Sequence, residues 1–177
     1  SPDLPEQMAG LPTCMITGSF YLLVKTRDEE FGNQTLDLKV PAKLRPDKND
    51  HFDVTDVVQE ISIPEETPLF LRVVTTQEGL YAKFFYSLDG KEYKELAELP
   101  TKILTDEQSD GFTGAHFGMY CHDMTGLRRY ADFDYFEMKF VKKYLQESNS
   151  VKPMFSGSWI PENIGFLLKR EKYSMRG

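Results

Sequence analysis

The stretch GFTGAHFGMYCHDMTGLRRYADFDYFEM, residues 111–138, decides how this chain is expected to fold. It opens with a glycine-rich turn at residues 111–114 and continues into a strand-like run at residues 115–121. A polar loop at residues 122–126 turns the chain, and a second strand-like run at residues 130–140 brings it back. The pattern predicts two antiparallel strands joined by a short loop, which is a β-hairpin.

The sequence before this stretch alternates short apolar runs with turn residues. The strand-like runs cover residues 8–16, 20–26, 34–40, 69–75, 80–88 and 92–96. Pro12 argues for an edge position or a bulge, and residues 52–63 fit either a strand or a short helix. Asp89 and Gly90 predict a two-residue type I′ hairpin turn, because both tolerate positive φ. Short strands at this spacing predict a jelly-roll sandwich of two antiparallel sheets.

Composition places the chain among ordinary soluble globular proteins. It has 177 residues, 40% of them hydrophobic and 28% charged, with a net charge of -7. A net-acidic protein is a poor candidate for binding nucleic-acid phosphates, which depends on clustered Lys and Arg. No apolar run approaches the ~20 residues that a membrane helix needs, and no signal peptide opens the sequence. We expect a soluble protein, and both a cytoplasmic and a secreted location fit.

Several segments together resemble the C-terminal concanavalin-like β-sandwich of glycoside hydrolase family 43, the β-xylosidase and α-L-arabinofuranosidase family. They are GFTG, FGMYC, the D-x-T-G loop at residues 123–126 and ADFDYF at residues 131–136, in this order and spacing. YSLDGKEY, which includes the expected turn, resembles the family's YSxDGxxW, with Tyr93 where the family usually has Trp. The resemblance covers roughly residues 8–140.

The resemblance implies a concanavalin A-like jelly roll over residues 1–140 that serves as an accessory domain. Such a domain packs on a catalytic five-bladed propeller, which carries the catalytic acids, and shapes the pocket for xylo- or arabino-oligosaccharides. We therefore expect no catalytic residue in this chain, and whether the chain takes part in an enzyme rests on the resemblance. Phe112, between the glycines of GFTG, occupies the family position that reaches toward the mouth of the pocket, and flanking glycines let a backbone turn project one side chain.

Residues 141–177 continue beyond the end that the family domain normally has. Their KPMFSGSWIPENIGFLLKREKYSMRG resembles, weakly, the opening strand region of the same domain. We interpret the segment as a linker and a C-terminal extension. It could supply a further strand of the sandwich, or it could be a loosely ordered extension, and the sequence does not choose between the two.

Aromatic side chains are the candidates for sugar stacking, because Tyr and Trp faces pack on the apolar faces of sugar rings. The candidates are Tyr81, Phe85, Tyr120, Tyr130 and Trp159, of which Tyr120, Tyr130 and Trp159 are preferred. The alternative is that most of them fill the core. Two rival functions accordingly stay open: a stand-alone, lectin-like carbohydrate-binding module, and a purely structural sandwich.

Asp132 and Asp134 form an i,i+2 pair that is expected on one face of a strand. Their most economical role is to bind loop backbone or basic neighbours, and they are also weak candidates for a structural calcium ion. No histidine spacing indicates zinc, and we expect no cofactor. The two cysteines, Cys14 and Cys121, are expected to be buried thiols outside any disulfide, although a disulfide is feasible if their strands are neighbours.

Overall fold

The computed structural model describes residues 2–16, 19–41, 55–76, 79–105, 115–139 and 163–168. Within these residues the chain forms eleven strands and one short 3-10 helix, Thr101–Leu104. The strands are β1 (Gln7–Ile16), β2 (Ser19–Arg27), β3 (Gln34–Pro41), β4 (Thr55–Ser62), β5 (Leu69–Thr75), β6 (Tyr81–Ser87), β7 (Lys94–Pro100), β8 (His116–Phe117), β9 (Tyr120–Asp123), β10 (Phe133–Lys139) and β11 (Asn163–Leu168). Among these residues, no helix has the length and apolarity to cross a membrane.

The first sheet has the order β4-β3-β2-β1, and the remaining edge of β1 is shared by β8 and β9. The sequence suggested an edge strand or a bulge at Pro12. Instead, Pro12 lies in an interior strand of the sheet and outside the bulge between Cys14 and Ile16. Strand β8 pairs with Thr13 and Cys14, and β9 pairs with residues 7–10, so the ladder on that side skips Pro12. A proline has no N–H to donate, and a break in the ladder is where one is tolerated.

The second sheet has the order β10-β11-β5-β6-β7, and all of its described pairings are antiparallel. Strand β11 comes from the C-terminal segment and lies between β10 and β5. Strand β4 settles the open choice at residues 52–63, since the described part of that run is extended. The division of the chain at residue 140 into a sandwich and an extension stays a prediction.

The two sheets pack face to face over one apolar core, which confirms the predicted all-β sandwich. Alternate residues along β5 and β6 are buried, as the period of two requires. The buried residues of the core are Leu11, Tyr21, Leu23, Leu36, Leu38, Ile63, Leu69, Leu71, Val73, Ala82, Phe84 and Leu104. Tyr21 meets Phe84 of the opposite sheet edge to face, with ring centroids 5.5 Å apart.

The prediction of a hairpin at residues 111–138 is wrong, because its two strands belong to different sheets. Strand β9 pairs with β1 in the first sheet, while β10 pairs with β11 in the second. The predicted run at residues 115–121 is also divided into β8 and β9. The loop between β9 and β10 crosses from one sheet to the other and contains two residues with positive φ, Gly126 at 77° and Arg128 at 56°.

The prediction of a two-residue turn at Asp89 and Gly90 is also wrong. Strand β6 ends at Ser87 and β7 begins at Lys94, and Gly90 (φ 73°), but not Asp89, has positive φ. The carboxylate of Asp89 accepts the N–H groups of Lys91 and Glu92 at 2.8 and 3.0 Å. These bonds, that of Lys91 first, lower the pKa of Asp89 to about 2. Because the side chain satisfies these backbone donors, the chain closes a wider loop than a type I′ turn.

Gly90 packs directly on the ring of Phe70, and this contact predicts a measurable cost of substitution. A Cβ at Gly90 would lie 2.7 Å from the ring, whereas a Cβ at Gly32, with a similar φ of 67°, would meet nothing within 4 Å. We expect Gly90→Ala to lower the free energy of unfolding by about 2–4 kcal/mol, and the control Gly32→Ala by about 1–2 kcal/mol. Urea unfolding measures both, and equal losses would contradict the packing argument.

Candidate functional site

The aromatic residues predicted to contact substrate fall into two groups. Phe112, the expected pocket residue, and Trp159, a sugar-stacking candidate, lie outside the described residues, so their roles stay predictions. Tyr120 is half-buried in β9, and its hydroxyl lies 3.0 Å from Nδ1 of His122. Tyr130 follows the loop between the sheets, and 59% of its surface is exposed. Tyr130 is therefore better placed than Tyr120 for contact with a ligand.

Tyr130 lines a shallow cleft between the N-terminal segment and the loop that joins β9 to β10. The cleft is lined by Pro2, Gln7, Met8, Ala9, Lys25, Cys121, His122, Asp123, Arg129, Tyr130 and Ala131. Its cavity volume is about 30 Å³, which holds a water molecule or two. Pockets that enclose small organic ligands measure ~300–1,000 Å³. The cleft cannot enclose a sugar ring, so a saccharide here would lie on the surface.

Asp123 organises the loop beside this cleft. Its carboxylate accepts the backbone N–H groups of Thr125 at 2.9 Å and Arg129 at 2.7 Å. The Thr125 hydroxyl is the largest cause of the lowered pKa of Asp123, followed by the Arg129 N–H. The guanidinium of Arg129 in turn forms a 2.8 Å ion pair with Asp3. The D-x-T-G motif thus stabilises the loop, and the carboxylate of Asp123 is engaged in hydrogen bonds to backbone N–H groups.

The N-terminal segment fixes the same loop from the other side. The side-chain amide of Gln7 donates to the Thr125 hydroxyl at 3.4 Å, and the N–H of Met124 donates to the carbonyl of Glu6 at 3.2 Å. Sequence analysis missed this junction because its partners are more than a hundred positions apart. The D-x-T-G pattern marks the loop itself, but no local signal marks Gln7.

The pair Asp132 and Asp134 does not sit on one face of a strand as expected. Asp132 precedes β10, and Asp134 falls in a bulge between Phe133 and Tyr135. The bulge lets Phe133 and Phe136 both pack against the core although they are three positions apart. Both acids are exposed, and the described part of the chain contains no group of three His, Cys, Asp or Glu residues that could hold a metal ion. That the chain binds no cofactor stays a prediction.

Cys121 is exposed, not buried as expected. Its strand, β9, lies at the edge of the first sheet, where it pairs only with β1. Cys121 is not part of a disulfide bond. The strand register places Cys121 opposite Ala9 and Cys14 opposite His116, five positions further along β1. At ~3.3 Å per residue this separates the two backbones by about 16 Å, far beyond the ~7 Å limit for a disulfide.

Two antiparallel sheets packed face to face over an apolar core define a β-sandwich as the class of this protein. The family model described as "Beta xylosidase C-terminal Concanavalin A-like domain" matches residues 1–139. The chain belongs to this family of C-terminal domains of family 43 glycoside hydrolases. Domains of this family occur in enzymes whose N-terminal catalytic domain is a propeller.

Individual relatives agree with the family. The chain is 33% identical over 144 residues to a β-xylosidase of Bacillus subtilis (strain 168), covering 78% of this chain and 25% of the relative. It is 30% identical over 142 residues to xylosidase/arabinosidase 43B of Humicola insolens, with 77% and 25% covered. The chain thus spans about a quarter of the length of these curated relatives.

Solved structures show the same fold. A GH43_12 protein retrieved from a capybara gut metagenome matches with a TM-score of 0.52 and 30% identity, over 66% of this chain and 21% of that one. A family 43 protein of Bacillus licheniformis matches with a TM-score of 0.55 and 15% identity, over 96% of this chain and 25% of that one. At 15% identity the second likeness supports the fold alone.

The role of Asp123 predicts a dependence of stability on pH. Its folded-state pKa lies below the ordinary value of 3.8, so the carboxylate stabilises the fold above that pH and loses its contribution as the pH falls through the lowered pKa. We expect Asp123→Asn to melt below wild type at pH 7 and the difference to narrow below pH ~4. Asp132→Asn, which removes a nearby exposed charge, is the control. A melting difference that does not change with pH would contradict the assignment.

Proposed function

We propose that this chain is the accessory β-sandwich of a family 43 glycoside hydrolase of the β-xylosidase or arabinofuranosidase type. It packs on a catalytic five-bladed propeller and shapes the pocket that receives xylo- or arabino-oligosaccharides. The observation that carries the proposal is that residues 1–139 match the C-terminal domain of these enzymes while the chain spans about a quarter of the curated relatives. No cofactor forms part of the proposal.

The described carboxylates support an accessory role. Glycosidases use two carboxyl groups that flank the scissile bond, one of them with a raised pKa. Asp37 and Glu60 face each other across β3 and β4, and burial raises the pKa of both. However, Asp37 is only 3% exposed, so a substrate cannot reach it. This pair therefore makes a poor catalytic site, which agrees with catalysis in a separate propeller.

Phe112 is the residue by which the domain reaches the pocket in this proposal. Its support is the sequence GFTG and its place in the family pattern. A projecting phenylalanine closes a sugar-binding pocket by excluding water and by packing on the apolar face of a ring. The role is one of positioning substrate, with no part in proton transfer.

The purified chain alone should hydrolyse no glycoside. We expect no release of nitrophenol from nitrophenyl β-xyloside or nitrophenyl α-L-arabinofuranoside above the rate of a buffer blank. Adding the catalytic propeller expressed from the same reading frame should restore hydrolysis. Nitrophenol release by the chain alone that Asp132→Asn or Asp134→Asn abolishes would contradict the accessory assignment.

Phe112→Ala and Phe133→Ala should behave in opposite ways. Phe133 packs against the core while partly exposed, so its truncation should cost folding stability toward the lower end of the ~3–5 kcal/mol typical of core Phe→Ala changes. Phe112→Ala should leave the melting temperature of the chain nearly unchanged and lower kcat/KM of the assembled two-domain enzyme. If Phe112→Ala unfolds the chain as severely as Phe133→Ala does, Phe112 is a packing residue and its pocket role is wrong.

A further inference from the structure

The outer face of the second sheet carries a row of side chains to which the proposed function assigns no role. Strand pairing aligns Arg72 of β5 with Phe85 of β6 and Glu95 of β7. On the other side of Arg72, the row continues through Gly165 of β11 to Glu137 of β10. Because the neighbouring positions of β5 and β6 are buried against the core, this row faces away from it.

Two tyrosines stand beside this row. The guanidinium carbon of Arg72 lies 3.6 Å from the ring centroid of Tyr93, a close cation–π contact. Tyr135 lies two positions from Glu137 on β10, and 44% of its surface is exposed. Burial raises the pKa of Tyr135, and the next largest cause is Tyr93. Because Arg72 also contacts Tyr93 and lies in the same row as Glu137, the side chains of Tyr135, Tyr93 and Arg72 share one surface.

The charges on this face are matched except at Arg72. Lys83 binds Glu95 at 3.2 Å and Glu98 at 3.0 Å, and Lys139 binds Glu137 at 3.0 Å. Arg72 stacks on Tyr93 instead, and in the described ranges no carboxylate forms an ion pair with it. A stacked guanidinium keeps its N–H donors in the plane of the group, directed sideways.

The position of Tyr93 is fixed before any ligand arrives. It ends the loop after β6, which Asp89 organises through two backbone N–H groups. The same loop rests on Phe70, since Gly90 lies against that ring. A binding surface whose aromatic groups are already ordered loses less entropy on binding.

Gly165 stands between Arg72 and Glu137 in the row and has no side chain beyond its Cα. The strands of Arg72 and Glu137 are two spacings apart, about 9–10 Å. A donor group, an acceptor carboxylate and the exposed Tyr135 therefore share one face of the sheet. The ion pair of Glu137 with Lys139 is exposed on both sides, and such pairs are weak enough to give way to a ligand.

We propose that this surface, formed by Arg72, Tyr93, Tyr135 and Glu137 around Gly165, binds a neutral oligosaccharide. One sugar ring stacks its apolar face on Tyr135, while Arg72 donates hydrogen bonds to its hydroxyl groups and Glu137 accepts them. The cations named on this face, those of Arg72, Lys83 and Lys139, equal its named carboxylates in number, which favours an uncharged, hydroxyl-rich ligand over an ionic one. The proposed role of Phe112 in a catalytic pocket involves none of these residues.

Calorimetric titration of the 177-residue chain with xylohexaose and with cellohexaose tests the proposal. We expect one of them to bind, and Tyr135→Ala and Arg72→Met each to weaken that binding about tenfold or more. Tyr135→Phe, which keeps the ring, should stay within about threefold of wild type. Tyr81→Ala is the matched control, because Tyr81 is equally exposed at 45% but lies four positions from Phe85, about 13 Å along β6. It should bind as wild type does. Thermal melting of each variant confirms that it is folded.

Three results would overturn the proposal. The first is no binding of either hexasaccharide to wild-type chain. The second is binding that Tyr135→Ala and Arg72→Met leave unchanged, or that Tyr81→Ala weakens equally. The third is concentration-dependent self-association that Tyr135→Ala abolishes, which would assign the face to a second copy of the chain.

The choice of xylohexaose rests on the proposed function, and the two can fail separately. Binding of cellohexaose alone would support the site while counting against a xylan-type substrate. Conversely, failure of both titrations would leave the test of Phe112 in the assembled enzyme unaffected.

Discussion

The sandwich depends on the contact of Tyr21 with the opposite sheet, which combines aromatic packing with a hydrogen bond. The ring of Tyr21 from β2 packs on Phe84 of β6, and its hydroxyl donates to the carbonyl of Pro100, at the end of β7, at 2.6 Å. Burial raises the pKa of Tyr21 to about 12, so the hydroxyl keeps its proton and remains a donor at neutral pH. Leucines are the commonest residues of the core, but their packing is non-directional. The bond to Pro100 fixes how one sheet is placed on the other.

This placement determines which surfaces face solvent and which lie between the sheets. The loop after β9 must cross from one sheet to the other, and Asp123 stabilises this crossing by accepting the backbone N–H groups of Thr125 and Arg129, which are four positions apart. On the outer side of the second sheet, the alternation that buries Leu71 turns Arg72 outward to Tyr93. The same period of two residues thus builds the core and displays the aromatic face.

The sequence predicted strands correctly where one face of the strand is buried and the other faces solvent. The run at residues 80–88 was predicted as a strand, and it forms β6 with Ala82 and Phe84 buried. The prediction failed where a side chain, instead of the backbone of a paired strand, accepts the backbone N–H groups. Asp89 does this in the loop after β6, whereas turn propensities assume backbone pairing. It also failed for β9 and β10, whose partners are distant in sequence. Adjacency in sequence suggested a hairpin, and only the tertiary structure separates the two strands.

Strand β11 has a consequence for the order of events during synthesis. It fills the interior of the second sheet between β10 and β5, yet it follows every other described strand in the chain. Until residues 163–168 emerge, β5 and β10 each present an unsatisfied edge, and open edges are templates for aggregation. The pairing of β11 with β5 also joins residues almost a hundred positions apart, which slows folding. A nascent chain of this domain must therefore keep two hydrogen-bonding edges exposed to water until β11 arrives, a period in which chaperone protection would matter most.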